Sequence, residues 1–151
     1  KRFEITQDDD IKSLHSKANM LFPNMVIDSI EMIEKGNKGK KQDEKNARYW
    51  HQRNDDDGYI NFKTFTSDLV LRTVKALTTP YPCAWGTVNG DKVRIIKVER
   101  LNFKLGGTPG KVVILNDHSP LVICSEGAIK ILDYKFENKK DKQLTNNDRF
   151  G

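Results

Sequence analysis

The chain has 151 residues, enough for one ordinary core or for a helical piece packed against a small barrel. Hydrophobic residues make up 36% and charged residues 31%, and no apolar run approaches the roughly 20 residues that cross a bilayer. This composition is typical of a globular protein and predicts no membrane span. Residues 1–6 contain no apolar stretch like that of a secretory signal, so the cytoplasm is the expected compartment.

The net charge of +5 is unevenly distributed. Residues 1–91 contain 14 basic and 14 acidic residues, whereas residues 92–151 contain 12 basic and 7 acidic residues. Such an excess suits an anionic partner such as tRNA or a nucleotide diphosphate, although solvated lysines are the commoner cause.

Two cysteines, Cys83 and Cys124, occur without a neighbouring cysteine or histidine at a spacing that binds zinc. We therefore predict core thiols and no metal site. The glycines at 106–110 lack the Lys-Ser/Thr and the helix that complete a phosphate-binding loop, which favours a tight turn there.

The first third of the chain has a helical pattern. Residues 1–7 are predicted to form a short strand, and Asp8, Asp9 and Asp10 favour the start of a helix. Apolar residues then recur at helical spacing until Gly36, with Pro23 expected to kink or divide the helix.

The middle of the chain is a connector followed by a second helix. Residues 36–47 are polar and glycine-containing, which indicates a linker, whereas residues 48–62 are dense in aromatic, arginine and aspartate residues and suggest a functional loop. The next helix should begin with Ser67 as its N-cap and end before Pro80.

The last part shows the period of short strands. Candidate turns separate them, and the chain beyond Glu137 should fray, anchored by Leu144 and Phe150. Five short strands predict a small OB-like barrel. The predicted strands are 84–88, 92–99, 111–115, 120–124 and 128–136.

Three segments carry a family resemblance: RTVKALTTPYPCAW at 72–85, GTPGKVV at 107–113 and LVICSEGAIKILDYKFE at 121–137. In this order they resemble the C-terminal domain of the formyltransferase family, with Cys83 in place of the usual glycine of P-Y-P-G and Ile129 in place of a leucine. The resemblance implies an α+β chain in which a helix packs on a five-stranded OB-like barrel.

The upstream part, FEITQDDDIKSLHSKANMLFPNMVIDSIEMIEKG, is similar to the strand and last helix of the family's Rossmann-like catalytic domain. This resemblance implies three regions: residues 1–35 from the catalytic domain, a connector at 36–62 and the C-terminal OB-like domain at 63–151. The family's catalytic asparagine, histidine and aspartate lie before this point, so we assign no catalytic residue here. His15, His51 and His118 are not expected to replace them.

The family transfers a formyl group from 10-formyltetrahydrofolate to an amine. This reaction needs an unprotonated amine, a donor that stabilises the oxyanion and a proton acceptor. The resemblance implies that the folate binds to an upstream N-terminal domain, which would also be a partner of this chain. The chain is therefore predicted to be inactive alone.

The connector bears on the acceptor. Arg53 followed by Asp56 and Asp57 is similar to the segment of members that formylate nucleotide-linked amino sugars, which favours that acceptor over methionyl-tRNA. Arg53 would pair with a pyrophosphate, and Tyr49, Trp50 or Tyr81 would stack on a pyrimidine. The structural alternative is an Arg53 bridge to the aspartates and an aromatic that only packs a turn.

Two other classes of function stay open. One is nucleic-acid binding, with tRNA as the partner and Phe103 as a stacking platform, although strand alternation separates the basic residues between two faces. The other is an assembly module in which an exposed strand edge pairs two subunits as a homodimer. The candidate anion-binding residues are Lys92, Arg94, Lys97, Arg100 and Lys104.

Overall fold

A computed structural model describes residues 1–139 and 141–151. The chain divides into two compact units, Lys1–Arg53 and Asn54–Gly151. We call them the helical unit and the sheet unit.

The helical unit is built on α1, Ile11–Glu34. Asp10 caps it, because its carboxylate accepts the backbone N–H of Ser13 while the Ser13 hydroxyl accepts the N–H of Asp10. Gly36 follows the helix with φ of 83°, a left-handed value that glycine tolerates. The predicted helix is thus confirmed, and Pro23 lies inside it without dividing it.

The strand predicted at residues 1–7 is wrong, because these residues form coil and the start of a turn. A strand needs a neighbouring strand for its backbone hydrogen bonds, and the described residues of the helical unit include none. Beyond α1, the unit contains one short 3-10 turn at Glu44–Asn46.

The sheet unit begins with a 3-10 turn at Asp55–Gly58 and then α2, Ser67–Leu77. The N-cap of α2 is Thr66 and not the predicted Ser67, since the Thr66 hydroxyl accepts the N–H of Leu69 at 3.2 Å. Both residues are good caps, and the extended backbone of Thr66 decides between them. The strands are β1 Ala84–Val88, β2 Asp91–Arg100, β3 Val112–Ile114, β4 Pro120–Ile123 and β5 Ala128–Phe136.

The five strands form one antiparallel sheet in the order β1-β2-β5-β4-β3. The turn between β1 and β2 is Asn89-Gly90, where both residues have positive φ, as a two-residue hairpin requires. The pairing of β2 with β5 shifts register around Lys97, which marks a bulge. The predicted α+β class and five-stranded OB-like arrangement are confirmed.

The C-terminal residues connect the two edge strands. Phe150 bridges Val88 at the end of β1, and Arg149 bridges Lys111 just before β3. The predicted fraying after Glu137 is therefore wrong for the last residues, because their backbone groups find partners at both sheet edges. Phe150 is 1% exposed, and Leu144 is buried as well, so both act as the predicted anchors.

The core of the sheet unit lies between α2 and the sheet. Val70, Val74 and Leu77 form the buried face of α2, spaced as one side of a helix. They pack in one apolar cluster with β2 and β5 residues such as Ile95 and Ile131. Cys83 and Cys124 are also buried, which confirms core thiols, and burial raises the pKa of Cys124 to about 12.

Candidate anion-binding surface of the sheet unit

Four charged side chains join the 3-10 turn to the sheet. Arg94 on β2 donates to Asp55 Oδ2 at 2.9 Å and to Glu137 Oε1 at 2.7 Å, and Lys92 Nζ reaches Asp55 Oδ2 at 2.8 Å. We call Asp55, Lys92, Arg94 and Glu137 the ion-pair cluster. The Arg94 side chain is 11% exposed and that of Asp55 is 38% exposed, so the cluster is half-covered by protein.

The cluster fixes the charge state of its members. Hydrogen bonds from Arg94, and then from Lys92, lower the pKa of Asp55 to about 2. The Asp55 carboxylate in turn raises the pKa of Arg94. Both partners are therefore ionised at neutral pH, and their charges largely cancel.

Trp85 on β1 strengthens this attachment. Its indole N–H donates to the backbone carbonyl of Asp55 at 2.7 Å, and Lys92 Nζ lies 4.1 Å from its ring centroid. Two of the predicted anion-binding residues, Lys92 and Arg94, thus hold the turn before α2 onto the sheet. Their carboxylate partners supply the anion within the protein.

Several other basic residues of the last part also pair with carboxylates. Lys130 reaches Asp117 at 2.8 Å and Glu99 at 3.5 Å, while Lys139 and Lys142 both contact Asp91 at 2.8 Å. The excess of basic residues after residue 91 therefore leaves less positive surface than the count alone suggests.

The remaining predicted basic residues lie toward the end of β2 and in the loop after it. Lys97 is exposed at the bulge, and Lys104 is exposed in the loop. Arg100 pairs with Asp68 of α2 at 2.9 Å while its side chain stays 55% exposed. The bulge interrupts the alternation of side chains between the two faces of the sheet along β2. The position of Lys97 in the sequence therefore does not by itself tell on which face its side chain lies.

An open cleft of about 560 Å³ lies beside this loop. Arg100, Phe103 and Lys104 line it together with the start of α2 and the turn at Glu126-Gly127. Phe103 is 52% exposed, which leaves part of its ring available for contact. Asp68 and Glu126 also line the cleft, so its charge is mixed.

The predicted substrate-binding residues fall in different units. Trp50 and Arg53 belong to the helical unit, where Trp50 is 85% exposed, and Tyr81 belongs to the sheet unit, in the segment between α2 and β1. Substrate binding by these three residues stays a prediction.

The parts played by Trp85 and Glu137 do not follow from the sequence pattern. Trp85 has no local signal beyond being an aromatic in a strand. Glu137 lies 43 residues from Arg94, and a pairing at that distance depends on the register of β2 with β5. Asp55, the first of the three consecutive aspartates, pairs with Arg94 and Lys92 of the sheet.

Features of other kinds of site are missing from the described residues. No three His, Cys, Asp or Glu residues among them group as metal ligands, and every buried side-chain N or O atom has a hydrogen-bond partner. Neither described helix has the length and apolar character to span a bilayer.

The fold defines a small α+β domain in which one helix packs on a five-stranded antiparallel sheet, preceded by a separate helical unit. The sequence profile described as "Formyl transferase, C-terminal domain" matches residues 53–147, most of the sheet unit. The chain belongs to this family.

Curated relatives extend over more of the chain. A methionyl-tRNA formyltransferase of Sulfurihydrogenibium sp. is 28% identical over 139 residues, which cover 91% of this chain and 44% of the relative. A methionyl-tRNA formyltransferase of Ectopseudomonas mendocina is 30% identical over 131 residues, covering 84% of this chain and 40% of the relative. The chain thus spans less than half the length of these relatives.

Solved structures show the same fold. A variant of HypX from Aquifex aeolicus superposes with a TM-score of 0.65 at 20% identity, over 93% of this chain and 25% of that one. HypX in complex with tetrahydrofolic acid superposes with a TM-score of 0.57 at 23% identity, over 76% of this chain and 20% of that one.

Proposed function

We propose that this chain is the C-terminal part of a formyltransferase that transfers a formyl group to methionyl-tRNA. The observation that carries the proposal is the match to methionyl-tRNA formyltransferases over 91% of the chain, beyond the sheet unit itself. These relatives favour the tRNA acceptor over the nucleotide-linked amino sugar that the connector motif suggested.

In this proposal the sheet unit contacts tRNA phosphates through Lys97, Arg100 and Lys104. Lys97 and Lys104 are exposed, and Arg100 is more than half exposed despite its ion pair. Lys92 and Arg94 have a structural role, because carboxylates already neutralise them. Phosphate contacts of this kind provide affinity and position without reading sequence.

The formyl donor in this proposal is 10-formyltetrahydrofolate, and it binds to a region upstream of this chain. HypX, with the same fold, has been captured with tetrahydrofolic acid. A pterin ring is recognised by buried hydrogen-bonding groups, and the described residues contain no buried side-chain polar atom without a partner. The residues present here therefore do not fit the folate, and no chemical step is assigned to them.

The helical unit in this proposal completes the upstream catalytic domain. Within this unit, α1 buries none of its residues and exposes Phe22, Ile30 and Ile33 among other apolar side chains. A helix with so much uncovered apolar surface requires a packing partner. The part of the relatives that this chain does not match is long enough to provide such a partner.

Binding and activity assays on the 151-residue chain test the proposal. The chain should bind tRNA with an affinity that falls steeply with salt, and it should bind a UDP-linked amino sugar weakly or not at all. With 10-formyltetrahydrofolate it should formylate neither acceptor. Preferential binding of the UDP-sugar would overturn the tRNA acceptor, and formylation by the chain alone would overturn the upstream location of the catalytic residues.

A further inference from the structure

The last part of the connector is attached to the sheet by two different kinds of contact. Residues 35–53 are exposed throughout, and the sheet unit begins at the next residue, Asn54. Just beyond it, Asp55 forms ion pairs with β2, whereas Ile60 is buried in the core. We call residues 54–57 the latch segment.

The chain that follows the latch segment is held by burial. Gly58 is buried, and a Cβ atom built on it would lie 3.4 Å from the Trp85 ring and 3.5 Å from the Cys83 carbonyl oxygen. Ile60 is 0% exposed, and its backbone N–H donates to the Trp85 carbonyl at 2.7 Å. We call Gly58 and Ile60 the fixed end, because apolar burial does not depend on the pairing of charges.

The latch segment is attached through Asp55. Lys92 and Arg94 share its carboxylate, and its backbone carbonyl accepts the Trp85 indole N–H at 2.7 Å. The Asp55 side chain is 38% exposed and that of Lys92 is 27% exposed, so water and dissolved ions reach both. Ion pairs this accessible contribute little to stability and weaken as salt screens them. The latch segment is therefore easier to detach than the fixed end.

Arg94 has a second carboxylate partner that stays in place when Asp55 leaves. The Arg94 side chain is only 11% exposed, and a cation this covered is costly to leave unpaired. Glu137 Oε1 accepts from Arg94 Nε at 3.1 Å and from Arg94 Nη2 at 2.7 Å. Because Glu137 directly follows β5, its position does not depend on the latch segment. Release of Asp55 thus leaves Arg94 paired.

We propose that the Asp55 ion pairs form a reversible latch, which releases residues 54–57 from the sheet while the core stays folded. In the open state Glu137 neutralises Arg94, and the fixed end stays buried. Opening adds four residues to the exposed part of the connector, which lengthens it by at most about 14 Å when they are extended. The latch works in the same way for either acceptor and does not rest on the proposed tRNA function.

Hydrogen exchange of the Trp85 indole N–H measures the opening, because its acceptor is the Asp55 carbonyl. The Ile123 amide, which donates to the Lys111 carbonyl and is 3% exposed, reports unfolding of the core. In the 151-residue chain with Trp50→Phe, which leaves one indole signal, the indole should be protected at least about a hundredfold less than this amide. Equal protection of the two groups would show that the latch opens only when the core unfolds and would overturn the proposal.

Ionic strength provides a second measurement on the same chain. Raising sodium chloride from about 0.05 to 1 M should lower the protection of the Trp85 indole several-fold, because the ions screen the Asp55 pairs. The protection of the Ile123 amide should stay nearly the same. Indole protection that does not change with salt would contradict a latch held by charge.

Substitutions of the two carboxylates should act in opposite directions. Asp55→Asn keeps the backbone carbonyl and removes the ionic contact, so the protection of the Trp85 indole should fall about fivefold. Glu137→Gln removes the charge that neutralises Arg94 in the open state, so opening becomes less favourable and the protection should rise about threefold or more. If the cluster only holds the turn in place, both variants lose protection, and that result would overturn the latch.

Asp56→Asn is the matched control for Asp55→Asn. It removes one negative charge from the same turn, but the Asp56 side chain is exposed and lies outside the ion-pair cluster. The protection of the Trp85 indole should stay nearly unchanged. An equal loss in both variants would show that the total charge of the turn controls opening, against the specific pairing of Asp55.

The Tyr59 amide tests the added length, because it donates to the Asp56 carbonyl within the turn at 3.0 Å. In Asp55→Asn this amide should lose protection together with the Trp85 indole, whereas the Ile60 amide should keep its protection. A Tyr59 amide that stays as protected as that of Ile60 would show that the turn does not extend and would overturn the proposed lengthening.

Discussion

At the scale of single residues, Asp55 has the most contacts that can be tested. Its carboxylate is bound by Arg94 and Lys92, and its backbone carbonyl accepts the Trp85 indole N–H. Replacing Asp55 by Asn leaves the backbone contact and removes the ionic one. Because the side chain is more than one third exposed, we expect a loss of only about 1 kcal/mol in the free energy of unfolding at neutral pH.

The pH dependence of this loss follows from the lowered pKa. Asp55 titrates at about 2 in the folded chain and near its ordinary value of 3.8 when unfolded, so the unfolded state takes up the proton first as the pH falls. The contribution of Asp55 is complete above about pH 4 and disappears toward about pH 2. Urea unfolding of Asp55→Asn and the original chain at several pH values measures it, with Asp56→Asn as a neighbouring control. A difference that stays constant down to pH 2 would contradict the ionic explanation.

A second prediction concerns Gly110. Its φ is 86°, and a Cβ atom built on it would lie 2.2 Å from the Phe150 carbonyl oxygen. Gly110→Ala should therefore lower the free energy of unfolding by about 2 kcal/mol or more, since it combines backbone strain with a clash. Gly106→Ala, where nothing lies within 4 Å, is the matched control and should change stability little. Similar stability of the two variants in urea would show that the Phe150 carbonyl does not lie close against Gly110.

At the scale of secondary-structure elements, the start of α2 depends on Thr66. Its hydroxyl accepts the N–H of Leu69, an otherwise unpaired donor of the first helical turn. Thr66→Ala should cost about 1 kcal/mol of stability, whereas Ser67→Ala should cost clearly less. Thermal unfolding of both variants measures the difference. A larger loss of stability in Ser67→Ala than in Thr66→Ala would show that Ser67, the residue that the sequence pattern predicts, is the N-cap.

Most elements of this chain follow from local patterns. Apolar spacing predicts both helices, and β1 and β5 begin and end at the predicted residues, because Asn89-Gly90 and Gly127 mark their turns. The prediction of a short strand at residues 1–7 is wrong because a strand depends on a partner strand, which the local sequence does not reveal. The fraying predicted for the C-terminal residues is wrong for the opposite reason. Their polar composition predicts no partner, yet the segment pairs with both edges of the sheet.

The candidate site is less predictable than the fold. Lys92 and Arg94 have the same sequence character as Lys97 and Lys104, yet in the described part of the chain only the first two form ion pairs with carboxylates. They share Asp55, which lies 39 residues before Arg94. Such pairing is set by the packing of the 3-10 turn on β2, which no periodicity encodes.

At the scale of the whole molecule, one side chain supports the closure of the sheet. Phe150 is 1% exposed, and its ring lies 4.8 Å from that of Phe62 and close against Gly86. Phe150→Ala should lower the free energy of unfolding by about 3–5 kcal/mol, the usual cost of removing a buried aromatic side chain.

Chemical denaturation followed by Trp85 fluorescence measures this loss in a Trp50→Phe background. Phe103→Ala is the control, because Phe103 is 52% exposed and its removal should have a small effect. Equal stability of Phe150→Ala and the original chain would mean that the bridges at Val88 and Lys111 do not depend on the aromatic ring.

The bridges made by Arg149 and Phe150 also have a consequence for the order of events during translation. All five strands leave the ribosome before these two residues, so β1 and β3 keep unpaired backbone groups until synthesis of this region is complete. A nascent chain stalled before Arg149 would thus present two open strand borders to neighbouring polypeptides, a state prone to aggregation.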